Sequence, residues 1–402
     1  MARIYFSVFG SGLGHVTRVL DVADRLHGNG YGNGYGNGNG NGTEFCYSGS
    51  LQALKYLRLH QNGSKVVESP SLDVEWTEDG SFSSKDFIPH FPSMFNSFLK
   101  QIAFETKSIA EFDPTLVVSD SRLSPVIGAR RGSYPVITIL NQFKVNLPPR
   151  FRVNWSGRLY ERIAGDVLGL LWSLSDQVLM TDLPPPYTIG EANLEGTDVS
   201  KIVRYVGFTS PRLQLDPSRI SRAKCDLHLD ERPLIFIQIS GPDVTKKRFT
   251  DIVLVATDEL ARRYNIVVSL GYLNGSGEPK RLANGTILYE WCPIKDELFE
   301  LSSLVVARSG HRTIGQCIDS AKPAVLIPIH NHPEQLGNAE KFASLGLGIA
   351  IKAEDLTPER LTEAVDTCLN DSNYKNNVES LSEISKKYDG IGTCVEIINS
   401  YD

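Results

Sequence analysis

The sequence predicts an α/β protein made of two doubly wound parallel sheets, and three observations carry that expectation. Short apolar strands alternate with helical patterns along the whole chain, the pattern of parallel sheets covered by helices. At 402 residues the chain is too long for a single core, and two domains are the natural division. Between the halves, "YVGFTSPRLQLDPSR" (Tyr205 to Arg219) has little apolar periodicity and carries the turn formers Gly207, Pro211 and Pro217, as a linker should.

Taken in order, the first-half strands are expected at Ile4–Phe9, Glu44–Tyr47, Lys65–Glu68, Leu116–Ser119, Val136–Leu140 and Gln177–Met180. The second-half strands are expected at Leu234–Ile239, Ile266–Leu270, Thr286–Glu290, Leu304–Ala307, Ala324–Ile327 and Gly348–Ile351. Each half has enough strands for its own Rossmann-like sheet, with domains at 1–208 and 209–380 and a C-terminal helix in 381–402 that can cross back to the first domain. Two such domains on a short linker would face each other across a cleft, with ligands beyond the carboxyl ends of the strands. The segment Gly28 to Gly42, "GNGYGNGYGNGNGNG", has glycine at every second position. Gly and Asn cannot offset the entropy of ordering by burying apolar surface, so a flexible loop remote from chemistry is expected.

Composition bounds the function. The chain is 41% hydrophobic and 22% charged, ordinary for a soluble globular protein. A net charge of −6 argues against a general nucleic-acid binder, which needs a basic face. No apolar run reaches the roughly 18 residues of a spanning helix, and the chain starts directly as a strand, so a cytoplasmic protein is expected. Cys46, Cys225, Cys292, Cys317, Cys368 and Cys394 are scattered without C-x-x-C spacing. They read as reduced, mostly packed thiols rather than a disulfide framework or zinc site.

The first strand runs into "FGSGLGHVTR", Phe9 to Arg18. A glycine turn between strand and helix suggests a dinucleotide cradle, but the G-x-G-x-x-G count places His15 or Thr17 at the third glycine. The next strand ends in Tyr47-Ser48-Gly49-Ser50, with no carboxylate for a ribose. An NAD-dependent oxidoreductase is disfavoured. What the turn offers is an imidazole, His15, at a helix N-terminus.

A second constellation follows the strand Leu304–Ala307. The turn Arg308-Ser309-Gly310-His311-Arg312-Thr313 opens a helix, whose exposed N–H groups and dipole favour a phosphate. Ser309, Thr313 and an arginine can complete the shell. A companion turn, Ser240-Gly241-Pro242, precedes Lys246, Lys247 and Arg248. Two such turns could grip a diphosphate from both sides. Trp291, in "EWCP", can be a capping core residue or a platform for a base. Glu334 and Gln335, ahead of a helix, suit a sugar ring with several hydroxyls. His330 and His332 lack a third ligand nearby in sequence and read as polar lining rather than a metal site.

Together these residues resemble the GT-B nucleotide-sugar glycosyltransferases. The most similar branches are the lipid-intermediate N-acetylglucosaminyltransferases of bacterial cell-wall synthesis, the plant UDP-glycosyltransferases and an archaeal branch of transferases. The C-terminal pattern S-G-x-x-T-x-x-E, P-x-x-x-[IV]-P, [DE]-Q-x-x-N-A reads here "SGHRTIGQ", "PAVLIP" and "EQLGNA". The resemblance implies that Trp291 stacks on the uracil of a UDP-sugar. It further implies that Arg308, Ser309, Gly310, His311 and Thr313 line the diphosphate, with Ser240 and Gly241 opposite. Glu334 and Gln335 would hold the donor sugar. The ribose-binding glutamate of the family falls at Gln316, which can bond the hydroxyls without charge assistance.

In the plant branch the histidine of the N-terminal turn deprotonates the acceptor, oriented by an aspartate after a later strand. Here His15 is matched by Asp120, which ends "LVVSD", with Gly12, Gly14 and Arg18 in the turn that meets the acceptor. The implied reaction is an inverting, metal-independent transfer, with the nucleotide-sugar as co-substrate and no other cofactor. The acceptor can be lipid-linked or a glycan. Lys144 to Trp172 mixes Arg150, Arg152, Arg158 and Arg162 with Trp155, Leu159, Leu168 and Leu171. Such a segment can lie on the inner face of an anionic membrane, or be a core-facing helix with solvated arginines. "FIPHFPSMFNSFLK" adds a second phenylalanine-rich stretch. Two alternatives stand beside the transferase: a nucleotide-sugar epimerase on the same fold, and a non-catalytic nucleotide-sugar-binding subunit, which Gln316 alone favours.

Overall fold

The computed structural model describes residues 2–28, 42–61, 63–71, 84–144, 155–191, 194, 203–210 and 216–401, without the side chains of 84–92, 156, 160 and 164. Residues 29–41 of the glycine-rich segment, and Arg150 and Arg152, lie outside that description. The described residues form two compact units: those up to Ser210 together with Tyr388 to Tyr401, and those from Asp216 to Lys387.

The first unit runs β1 (Arg3–Val8), α1 (Leu13–Leu26), β2 (Glu44–Gly49), α2 (Leu51–His60), β3 (Lys65–Glu68), α3 (Ser84–Phe112), β4 (Leu116–Asp120), α4 (Leu123–Arg131), β5 (Val136–Leu140), α5 (Trp155–Trp172), β6 (Gln177–Met180) and β7 (Val203–Tyr205). The strands are parallel in the order β3-β2-β1-β4-β5-β6-β7. β1, β4 and β5 are almost wholly buried, which is why they read as unbroken apolar runs rather than alternating ones. Helix α1 turns Val16, Val19, Leu20 and Ala23 inward, the spacing of one helical face.

The second unit runs α6 (Pro217–Asp226), β8 (Leu234–Gln238), a 3₁₀ turn (Asp243–Thr245), α7 (Lys247–Leu260), β9 (Asn265–Ser269), β10 (Lys280–Arg281), β11 (Ile287–Tyr289) and α8 (Lys295–Leu301). It continues through β12 (Leu304–Ala307), α9 (His311–Asp319), β13 (Ala324–Leu326), α10 (Pro333–Ser344), β14 (Gly348–Ala350), α11 (Pro358–Asn370) and α12 (Ser372–Ser385). The order is β10-β11-β9-β8-β12-β13-β14, with only β10 antiparallel.

Both sheets therefore reverse direction beside their first strand, between β1 and β4 and between β8 and β12. That is where ligands bind in open parallel sheets, because the two crossovers leave the switch point uncovered. Val8 pairs with Asp120, and Gln238 pairs with Ala307. The two glycine turns singled out from sequence leave from these strand ends.

Two differences from the sequence expectation have physical causes. β7 is Val-Arg-Tyr and β10 is Lys-Arg, too short and too polar to announce themselves as apolar runs. The second unit extends past residue 380, because Ser382 Oγ and Ser385 Oγ tie α12 to Asp319 of α9. The return to the first unit is α13 (Gly390–Asn399), which packs on α1.

Candidate functional site

The glycine turn after β1 is shaped by Gly12, the N-cap of α1. Its φ of 81° is a left-handed value that a side chain would strain. The turn delivers His15 as the third residue of α1, with no side-chain cap at the helix start. His15 Nδ1 lies 2.6 Å from Oδ1 of Asp120, the last residue of β4. The Asp120 side chain is fully buried, whereas His15 keeps 20% of its side chain exposed. Burial alone would raise the Asp120 pKa, but the charge of Arg18, and then that of His15, hold its carboxyl below the ordinary range. An ionised carboxylate only accepts, so Nδ1 carries the proton and Nε2 is the nitrogen left with its lone pair.

Arg18 was expected in the acceptor-facing turn. It is buried instead, at 4% exposure, because its guanidinium is held by groups from three strand ends. Nε donates to Asp120 Oδ2 at 2.7 Å, and Nη1 donates to Thr181 Oγ1 at 2.9 Å and to Asn141 Oδ1. Gly14 is exposed at the start of α1.

A second buried ion pair lies in the same unit and was not found from sequence. Glu105 of α3, fully buried, faces Arg122 Nη1 at 2.8 Å. It also accepts from Tyr5 and Ser48 hydroxyls at 2.8 Å each. The signal was a lone glutamate inside "IAFETKSIA", but its partners come from β1, β2 and the start of α4, far away in sequence.

In the second unit the turn after β8 contains Gly241, whose φ of 106° again requires glycine. Ser240 and Gly241 are half-buried. Across the switch point, α9 begins at Gly310, which gives it no side-chain cap. A helix start of this kind, with its N–H groups and dipole, suits an anion. Ser309 donates through Oγ to the Gln335 carbonyl at 2.7 Å, and Gln335 Oε1 accepts from Ile329 N at 2.9 Å. Asn338, fully buried, donates to the Ser309 carbonyl at 3.2 Å. The turn after β12 and the start of α10 are therefore bolted together, and the asparagine of "EQLGNA" is one of the bolts. Thr313, Glu334 and Trp291 are half-buried, and His311 is buried at the first position of α9.

Arg308 departs from its expected place on the diphosphate. It is 4% exposed, and its Nη atoms donate to the carbonyls of Ile327, Pro328 and Thr245 at 3.2, 3.3 and 2.9 Å. The guanidinium lies 4.4 Å from the Phe249 ring centre, and burial pushes its pKa down to about 10. It is a bracket between three loops, and Nε, which has no partner, is buried too. Lys246 is likewise occupied, by the Gly271 carbonyl at 2.7 Å and Asp243 at 2.8 Å.

Gln316 donates through Nε2 to Asp296 Oδ1 at 2.9 Å, leaving its Oε1 as the available end. His330 pairs with Glu354 at 3.1 Å. His332 caps α10, accepting from Gln335 N at 3.4 Å, and burial lowers its pKa. Among the described residues no three His, Cys, Asp or Glu side chains come together as a metal site. Nor is any described helix long and apolar enough to cross a membrane.

Residues 245–393 match the family model "Glycosyltransferase family 28 C-terminal domain". The chain is 26% identical over 312 residues to an uncharacterized glycosyltransferase of Methanopyrus kandleri, across 76% of this chain and 82% of that one. It is 23% identical over 406 residues to an uncharacterized glycosyltransferase of Methanosarcina acetivorans, across 98% and 97% of the two chains. Among solved structures it is similar to CalG4, the calicheamicin glycosyltransferase, with a TM-score of 0.66 at 15% identity over 100% of this chain and 98% of that one. The fold is GT-B, and the matches support a glycosyltransferase of GT-B type without singling out the bacterial lipid-intermediate or the plant branch.

Proposed function

We propose that this GT-B glycosyltransferase moves a sugar from a nucleoside-diphosphate donor, a UDP-sugar by the resemblance of its motifs, to an acceptor hydroxyl with inversion. The observation that carries the reading is the His15–Asp120 pair at the first sheet's switch point. Its geometry leaves Nε2 as a proton acceptor on a partly exposed ring. The acceptor proton passes to Nε2 as the hydroxyl oxygen attacks the anomeric carbon. The bond to the diphosphate breaks, and its electron pair leaves with the phosphate. We assign that charge to the start of α9 in the second unit, with Thr313 and the Gly241 turn. Such fixed donors stabilise a leaving oxyanion without reorganising. Trp291, Gln316, Glu334 and Gln335 are assigned to the base, the ribose and the donor sugar.

The test is a thermal-shift screen of UDP-, GDP- and dTDP-sugars, followed by turnover of any hit. A UDP-sugar should raise the Tm and release UDP slowly, and His15→Ala should cut turnover by about 10²–10⁴-fold. No shift with any nucleotide, or a loss under about threefold, refutes the reading.

For the acceptor we favour a lipid-linked hydroxyl met at a membrane surface. On α5 the side chains of Trp155, Leu159, Ile163, Val167 and Leu170 are exposed, Trp155 at 72% and Leu170 at 70%. Exposed apolar faces of this extent mark interaction sites, and this exposure supports the membrane-facing reading of α5. Co-sedimentation with anionic vesicles tests it.

A further inference from the structure

We infer that Arg18 is a positioning residue that keeps His15 ready to accept a proton, by holding the second oxygen of Asp120. This rests on the base role proposed for His15. Asp120 divides its oxygens, Oδ1 to His15 Nδ1 at 2.6 Å and Oδ2 to Arg18 Nε at 2.7 Å. Arg18 is fixed in turn by Thr181, whose Oγ1 also lies 2.9 Å from Asn141 Oδ1. One carboxylate at the end of β4 is thus gripped from α1, through an arginine braced by the ends of β5 and β6.

The charge consequence is specific. A carboxylate alone beside an imidazole favours the imidazolium. Here the guanidinium neutralises that carboxylate, and its Nη2 stands 3.3 Å from His15 Nδ1. Both groups carry protons there, so the contact is a close approach of two donors rather than a hydrogen bond. A proton added at Nε2 would place a second positive charge against Arg18. The start of α1 acts in the same direction. Asp120 therefore orients the ring and fixes its tautomer while sharing its charge with Arg18.

Among the described residues, the other neighbours of the pair bring no opposing charge into contact. Phe9 presents a ring edge to His15 with centres 5.2 Å apart. Cys394 of α13 senses Arg18 and Asp120, but burial holds its thiol neutral by pushing the pKa up to about 12, with Asp389 and Arg204 acting on it as weaker influences. Asn141 and Thr181 do not titrate.

The experiment uses the full chain. Titration of His15 is followed by its Cε1–Hε1 NMR signal in parent, Arg18→Gln, Arg18→Lys and Asp120→Asn, and kcat/KM against pH is measured on any donor from the screen. Arg18→Gln should move the midpoint, and the acid limb of kcat/KM, up by about one pH unit. Arg18→Lys keeps the charge and should hold the midpoint within about 0.3 unit while kcat falls. In Asp120→Asn, Arg18 is left beside the ring uncompensated, and the midpoint should fall below the usual value of about 6.5. An Arg18→Gln midpoint within about 0.3 unit of the parent overturns the inference. Should that variant fail to fold, an Asp120→Asn midpoint at or above about 6.5 does so. The NMR titration decides the role of Arg18 even if no donor is turned over, whereas absence of turnover counts only against the transferase reading.

Discussion

At position 316 the chain carries glutamine where the resemblance puts a ribose-binding glutamate, and the structure gives that glutamine a carboxylate partner. Asp296 Oδ1 accepts from Gln316 Nε2 at 2.9 Å and from Lys295 Nζ at 2.8 Å. Burial would raise the Asp296 pKa, but Lys295, the Gln316 hydrogen bond and Arg312 together keep it lowered. Gln316 thus stands against an ionised carboxylate. Restoring the glutamate should therefore harm the site, because two carboxylates at hydrogen-bond distance cannot both ionise freely. We expect Gln316→Glu to weaken donor binding by about fivefold, roughly 1 kcal/mol, and Gln316→Glu with Asp296→Asn to recover it. Calorimetric Kd values check this, and a single variant that binds as tightly as the parent refutes it. The type and strand-end position of His15 and Asp120 made them legible in the sequence. Arg18 and Arg308 were not. Arg18 shares a helix face with His15, three residues away, but its other partners arrive from β5 and β6. Nothing local announces that three backbone carbonyls converge on Arg308.

Elements announced themselves by their apolar residues and bounding turns, even where, as in β3, no residue is fully buried. β3, β5, β6 and β12 lie at the expected residues, because apolar strands bounded by turns carry their own punctuation. β7 and β10 escaped, since an edge strand of two or three polar residues resembles a loop. Helix α5 was legible as a pattern but not as an orientation. Periodicity shows that a helix has an apolar stripe, and this helix has apolar residues on both sides. Leu168 and Trp172 turn toward the core of the first unit, while the stripe from Trp155 to Leu170 turns out. If that stripe seats in a bilayer, replacing Ile163 and Val167 by glutamate should abolish sedimentation with vesicles rich in anionic lipid. Binding by the parent should weaken with added salt, because basic side chains assist it. A parent chain that stays in the supernatant at low salt removes the membrane from the acceptor reading.

At the scale of the whole molecule, the chain builds one doubly wound plan twice, with different edge strands, and places different chemistry at each switch point. The first unit carries the imidazole and its buried ion pairs, and the second carries the uncapped helix start suited to phosphate. The first unit is not finished until the last residues of the chain. α13 buries Ile391, Cys394, Ile397 and Ile398, and Tyr388 packs over Gly207. A Cβ at Gly390 would meet the Phe208 carbonyl, so the helix start and the end of the first unit's β-region form one seam. Burying each isoleucine is worth about 1.5–3 kcal/mol, so the three together rival the roughly 5–15 kcal/mol stability of a domain. A chain ending at Lys387 should therefore lose hydrogen-exchange protection in α1, β1 and β4 while β8 and β12 keep theirs. The same truncation should abolish turnover, since His15 and Asp120 lie in the damaged unit. It should leave the nucleotide's thermal shift in place, since Gly241, Gly310 and Trp291 do not. Unchanged exchange in α1 and β1 would refute the account of the seam. Loss of nucleotide binding with β8 and β12 still protected would refute the assignment of the donor to the second unit.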